Sequence, residues 1–522
     1  MTDSPAGVFR DAAARARKEL ESICLDDISR LGISKTHSDF LGSHTVVTYP
    51  PLDALYSIDG ENLFSELAFS PEVDAYIHIP FCEYPCTFCP YTTLNIKERN
   101  APEKMFTYFD ALKKEISTWG NKLHSQKARV RSLYVGGGTP FAVPLEQLED
   151  ILRHVQEALP FVPQPEICVE TSPHATLQGD VKKKLDMLKA YGVTRMSIGI
   201  QTFDFEGLRD TARTLKGHGK DDEEDAVHVL LKSGIPNINV DMIQDLPLKS
   251  KSYLQRLKHD LLTIAGLKPH HITWYNMRLR PETAYAQRDL RMVSEEQSLH
   301  TRLTIWNFLE AIGYQILEGD RFALAKNFED SFRKTRGSVE TCLLGMGVSA
   351  YSHTPAVFFQ NARVTGSTIR TDSQEAVQQY IAAVREKGHA IALGFTFTDD
   401  ERLAGKLALG LKRGVQYGDL ANIFELSTMC GPYLDKIMNP NEKLFKAGLL
   451  QMTEDGIIKF TRTGMLFENE ICARFYTPVV RYLAHEKRGT LTPKIKHQCA
   501  LYTHAQEIAG IIAEQSPYAT DF

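Results

Sequence analysis

The sequence predicts an α/β protein in which six short strands alternate with helices, preceded by a helical stretch and followed by a mixed helix-and-hairpin module. Three observations carry this expectation. Short β-rich runs recur at 75–79, 132–135, 166–170, 195–201, 237–243 and 271–275. Helical stretches near 103–122, 145–159, 178–191, 222–233 and 251–265 fill the intervals, an order that calls for parallel pairing with right-handed crossovers. The pattern also changes at both ends. This predicts a helical N-terminal extension over 1–69, an α/β body over 70–385, and a C-terminal module with tail over 386–522.

In the extension, Leu20, Ile23, Cys24 and Ile28 follow helical spacing. The prolines of Tyr49-Pro50-Pro51 break the pattern. The extension reads either as a packing arm or as a lid. The six βα units make an open doubly wound sheet or a barrel-like array, and both gather chemistry at the C-terminal strand ends. In the last module Thr398-Asp399-Asp400-Glu401 has the form of a capping box before LAGKLALGL. Helical pieces at 419–426 and 441–448 follow, then LLQM, a turn at 453–456, and IIKF. Helices followed by a hairpin resemble a winged-helix module. It lacks a strong basic cluster, so packing beside the body is expected and DNA binding is not.

Composition narrows the function. Sixty Lys and Arg against 65 Asp and Glu leave a net charge of −5, the wrong sign for a general phosphate-backbone binder. With 43% hydrophobic and 24% charged residues the chain is ordinary globular protein. No run of 18 apolar residues suggests a membrane span, and the first residues lack the apolar core of a secretory signal. Nine cysteines, scattered apart from one trio, do not read as a disulfide framework. A reducing cytoplasm is the expected compartment.

That trio is Cys82, Cys86 and Cys89, just after the first strand in YIHIPFCEYPCTFC. Three thiolates on one loop suit an iron–sulfur cluster or zinc. A structural zinc site would need a fourth close ligand, and none stands nearby in sequence. Further blocks sit at strand ends. Gly136-Gly137-Gly138-Thr139-Pro140 follows the second strand, and glycines let backbone approach a ligand. Glu170 ends the third strand, and a carboxylate there calls for a cation. Gln201 ends the fourth, Arg213 follows it, and Asp241 lies in the fifth.

Cys82-x3-Cys86-x2-Cys89 resembles the signature of radical S-adenosylmethionine (SAM) enzymes. The surrounding sequence is similar to the branch that holds oxygen-independent coproporphyrinogen III oxidase, its heme-chaperone relatives and the class C methyltransferases. The resemblance runs in ordered blocks over roughly 70–360. It implies a partial (β/α)6 barrel and a [4Fe–4S] cluster on the three cysteines with one iron open. It implies that SAM contacts Tyr76, Phe88, Gly137, Gly138, Thr139, Glu170, Gln201, Arg213, Asp241 and Ile243. Two SAM molecules are expected, with an electron donor such as flavodoxin or ferredoxin. One departure is Asp245, where the family usually has Gly before Leu-Pro.

Within the branch, Cys89 is followed by Pro90-Tyr91 rather than the Gly-Cys of the porphyrin enzyme. The His-Asn-x-x-Tyr-Trp block of the chaperones is also missing. By elimination the sequence-based expectation is a methyltransferase or cyclopropanase acting on an unsaturated or aromatic small molecule. Coproporphyrinogen dehydrogenase and a heme-binding chaperone stand as the alternatives. Arg278 and Arg280 are candidates for meeting acidic substrate groups, and Tyr351 and His353 for carrying protons.

Overall fold

A computed structural model describes residues 4–35, 46–83, 86–211, 213–214, 219–247, 252–277, 288, 292–325, 332, 338–362, 373–418 and 443–489. Its strands in chain order are β1 (Tyr56–Ser57), β2 (Glu72–Ile79), β3 (Phe81–Cys82), β4 (Leu94–Asn95), β5 (Arg129–Gly137), β6 (Phe161–Thr171), β7 (Arg195–Gln201), β8 (Asn237–Gln244) and β9 (His271–Asn276). After these come β10 (Gln315–Glu318), β11 (Arg321–Ala323), β12 (Cys342–Met346), β13 (Tyr351–His353), β14 (Val357–Asn361), β15 (Ile391–Thr396), β16 (Val415–Gln416), β17 (Leu450–Met452) and β18 (Ile457–Phe460).

The six strands expected from sequence are β2 and β5 to β9. They lie side by side and pair in parallel. Helices Ala101–Ser125, Leu145–Ala158, Val181–Ala190, Asp222–Leu231 and Tyr253–Leu267 form the crossovers. β12 adds a seventh parallel strand beside β2. The sheet then continues through antiparallel β13, β14, β15 and β1, and at the other edge through β11 and β10.

Side chains alternate across each strand. On β2, Val73, Ala75, Ile77 and Ile79 are fully buried on the face that joins the apolar core. Asp74, Tyr76 and His78 share the other face. On β8, Ile238, Val240 and Met242 are likewise buried, opposite Asn239 and Asp241. Register carries these polar positions across the sheet: Tyr76 pairs with Tyr134, Glu170 with Ser197, and Gly199 with Asp241. One face is therefore hydrocarbon under the helices and the other is a polar wall.

The N-terminal extension is a packing arm. Its helix Pro5–Glu21 begins at a Ser4 cap and buries Phe9, Ala12, Ala16 and Leu20. It packs on helix Glu295–Ala311, where His300 Nε2 meets Ala13 O at 3.1 Å. The helical pattern breaks at 22–24 and resumes over Leu25–Arg30.

The borders expected at 69 and 385 do not part the sheet. β1 comes from the extension, β15 lies beyond residue 385, and the two pair with each other. In the C-terminal module Thr398 caps helix Asp399–Gly410 by accepting from Glu401 N at 3.2 Å. The expected hairpin is β17–β18, with β16 as a third strand. The helix expected at 441–448 is Lys443–Lys446. The piece at 419–426 and the tail beyond 489 lie outside the described residues.

Candidate functional site

The cysteine loop leaves the end of β2 and is pinned where it starts. β3 pairs with β4, Leu94 N donates to Pro80 O at 2.6 Å and Ile96 N to Cys82 O at 3.0 Å. The end of β5 lies alongside, with Gly138 N on Ile79 O and Thr139 N on Phe81 O at 2.8 and 2.7 Å. The glycines make this approach possible. Gly137 has φ +117°, and a Cβ there would come within 2.8 Å of the His78 ring. A Cβ on Gly138 would stand 2.5 Å from Phe81 O. The freedom of these two residues is spent on seating the thiol loop.

The sulfurs have donors around them. Cys82 Sγ lies 3.3 Å from Thr139 Oγ1, and Arg213 Nη1 donates to Cys86 Sγ at 3.3 Å. The same guanidinium donates to Gly199 O, which ties the thiol loop to β7 beside Gln201. Cys86 is buried, while Cys82 and Cys89 are partly exposed. Among the described residues no three His, Cys, Asp or Glu side chains converge closely enough to cage a single metal ion, the three thiols included. Three thiols flanked by a hydroxyl and a guanidinium fit an iron–sulfur cluster, whose sulfurs take hydrogen bonds. They do not fit a closed tetrahedral zinc site. Cys168, Cys342 and Cys472 are buried elsewhere, Cys24 is exposed, and Cys430 and Cys499 lie outside the described residues.

The wall beside the loop is built from strand ends. Glu170 accepts from Tyr134 Oη at 2.8 Å and from Gly137 N at 3.0 Å. Tyr134 stacks against Tyr76 at 6.2 Å and Phe332 at 5.1 Å. Burial, and then the charge of Glu170, push its phenol well above the usual value. Asp241 accepts from Ser197 Oγ and Asn239 Nδ2, each at 2.8 Å. Gln201 closes β7 with φ +73°. Phe88 and Ile243 meet in a small apolar cluster with Leu246, Met277 and Met292. Asp245 keeps the turn that glycine usually makes, by adopting φ +63°. Its carboxylate accepts from Ser298 Oγ at 2.5 Å and Gln244 Nε2 at 2.9 Å, which ties the turn to helix Glu295–Ala311.

Tyr351 and His353 are placed differently. They line a narrow space with Val47, Thr48, Tyr49, Val339, Phe358 and Leu409, and no residue of the cysteine loop lines it. Arg278 and Arg280 lie outside the described residues.

Sequence reasoning missed His78. It meets Tyr76 Oη at 3.0 Å and Thr92 O at 3.1 Å, and burial lowers its pKa to about 4, so the ring stays neutral. Its place four residues before Cys82 was the available signal. It also missed Glu83, a buried carboxylate inside the cysteine loop.

Residues 76–258 match the radical SAM superfamily. The chain is 28% identical to oxygen-independent coproporphyrinogen III oxidase of Escherichia coli over 445 residues, covering 80% of this chain and 89% of that one. It is 27% identical to the heme chaperone HemW of Bacillus subtilis over 409 residues, covering 77% and 98%. The solved structure of the E. coli oxidase, HemN, superposes with a TM-score of 0.67 at 25% identity, covering 82% of this chain and 96% of that one. These findings overturn the expected methyltransferase or cyclopropanase, because the relatives are named an oxidase and a heme chaperone. The elimination leaned on Pro90-Tyr91, and Tyr91 is 63% exposed just past the thiols. Such a position can vary without changing the reaction. Together the matches show a segment similar to the radical SAM superfamily within a chain that resembles this oxidase and HemW along most of its length.

Proposed function

We propose that the protein is an oxygen-independent oxidase that decarboxylates propionate side chains of a reduced tetrapyrrole. The single observation behind this reading is the similarity to the E. coli oxidase along most of both chains, in sequence and in fold. Cys82, Cys86 and Cys89 would hold a [4Fe–4S] cluster to which SAM would bind. When bound, cluster and SAM supply a one-electron cleavage that yields a hydrogen-abstracting carbon radical. Loss of carbon dioxide and of one electron to an acceptor then turns the propionate into a vinyl group.

The chain's own part is binding and orientation. Gly137, Gly138 and Thr139 offer backbone and hydroxyl groups to the methionine end of SAM, and Glu170 meets its positive charge. Arg213 and Gln201 take polar groups beside the thiol loop. Asp241, already oriented by Ser197 and Asn239, accepts from the ribose. Phe88, Ile243 and Tyr76 supply flat apolar surface that excludes water. Tyr351 and His353, expected from sequence to carry protons, line a separate space away from the cysteine loop and take no step in this reading. A second SAM serves as co-oxidant, and a flavodoxin or ferredoxin supplies the electron. Among the described residues no helix is long and apolar enough to cross a membrane.

The second reading is a heme chaperone, favoured by the 98% coverage of HemW. Anaerobic incubation of the reconstituted protein with coproporphyrinogen III, SAM and a reductant separates the two. Carbon dioxide, 5′-deoxyadenosine and a vinyl product support the oxidase. Stoichiometric heme uptake without 5′-deoxyadenosine overturns it in favour of the chaperone.

A further inference from the structure

Between the first two thiols, the loop carries a negative side chain that is 8% exposed. Glu83 Oε1 accepts from His174 Nδ1 at 2.5 Å, and Oε2 accepts from Ser172 Oγ at 3.2 Å. Both partners lie just past the end of β6, where Ser172 caps the short helix Pro173–Leu177 that carries His174. Ser172 is itself fixed, because its hydroxyl accepts from Ala175 N at 3.2 Å. Lys184, held by the carbonyls of Phe141 and Val143 at 2.8 Å each, places a cation in electrostatic reach of Glu83.

A carboxylate next to a metal-ligating position is costly to bury unless paired. Here it is paired with a segment more than eighty residues away in sequence, so the contact sets where the loop sits. Thr139 and Arg213 reach two of the sulfurs directly, whereas Glu83 fixes the backbone between them. We propose that Glu83 is a positioning residue, which clamps the thiol loop to the end of β6 through His174 and Ser172 and adds negative charge beside the cluster. The proposal rests on the reading of Cys82, Cys86 and Cys89 as cluster ligands.

The test uses the full chain, reconstituted anaerobically with iron and sulfide and then desalted. Glu83→Ala should retain iron about 10-fold less tightly, the scale of lost outer-shell partners, and broaden the electron paramagnetic resonance signal of the reduced cluster. Glu83→Gln keeps an acceptor oxygen and loses the charge. It should retain iron while its reduction potential moves to a more positive value, a readout that a purely structural role would not shift. His174→Ala should show part of the iron loss. Wild-type iron retention and an unchanged spectrum in Glu83→Ala overturn the clamp. If that variant fails to fold, an unshifted potential in Glu83→Gln overturns it instead. A wild-type protein that binds no iron overturns the cluster reading, and this inference with it.

Discussion

Two glutamates, Glu115 and Glu170, make the same local pattern on either side of His78. Glu115, on helix Ala101–Ser125, accepts from Tyr380 Oη at 2.7 Å, from Gly347 N at 2.7 Å and from Asn361 Nδ2 at 2.8 Å. Glu170 accepts from Tyr134 Oη and Gly137 N. Each thus joins a tyrosine hydroxyl to the amide of a glycine with positive φ, +100° at Gly347 and +117° at Gly137. Each glycine also presses on His78, Gly347 on its carbonyl and Gly137 on its ring.

What differs is the ground behind them. Glu115 has no exposed surface, and the helix, β14 and the β12–β13 turn close around it. Glu170 stays partly exposed at a strand end, next to the thiol loop. A carboxylate enclosed by its own chain is architecture; the same motif at an open strand end can serve a ligand.

The largest effect expected from this contrast is on the ligand side. Cys82→Ala, Cys86→Ala and Cys89→Ala should each abolish the visible absorption of the reconstituted cluster, and retained absorption in any of them would remove that thiol from the site. Glu115→Ala comes next. It strands three donors, so about 3 kcal/mol of stability should be lost in urea unfolding, with iron content unchanged in the folded fraction. Glu170→Gln should do the reverse, leaving the unfolding midpoint nearly fixed while SAM cleavage slows about 10-fold or more.

The pH dependence sharpens the architectural side. Burial raises the Glu115 carboxyl from 4.5 to about 7, so the fold holds a proton that the unfolded chain releases above 4.5. Its contribution is full below about pH 4.5 and is lost as pH rises through about 7. Asp260 and Glu401, also raised to about 7 by burial, act in the same direction. Neutral His78 acts oppositely, losing stability as pH falls from 6.5 toward 4. The stability of wild type relative to Glu115→Gln should therefore shrink between pH 5 and 7.5, by on the order of 3 kcal/mol. A constant difference across that range would show that Glu115 does not titrate there. The smallest effect is expected from Cys168→Ala, which should leave cluster absorption intact at a cost of about 1 kcal/mol. Loss of absorption there would contradict the division of the thiols.

Much of the central sheet was legible in the sequence, because β2 and β5 to β9 are apolar runs separated by helices of ordinary length. β10 to β15 were not. They are three to six residues long, and β12 and β14 are buried at every position, so no alternation marks them. In the site, the cysteines were legible from spacing, and Glu170 and Asp241 from their place near strand ends. His78 lies in an apolar strand and Glu83 in a loop, and neither has a local sequence neighbour that marks a distant partner. Only the fold brings Ser172 and His174 to Glu83. Asp245 put the turn in question from sequence, yet the turn survives because Ser298 and Gln244 hold an aspartate at left-handed φ. The reaction class was least legible, since the short stretches used to choose it sit beside the common framework.

The pairing of β1 with β15 has a practical consequence for engineering. A fragment trimmed at residue 69 or 385 would expose a raw row of amides and carbonyls on the sheet margin, an invitation to stick to other copies. Chimaeras with relatives should therefore exchange the two terminal strands together, as one matched pair.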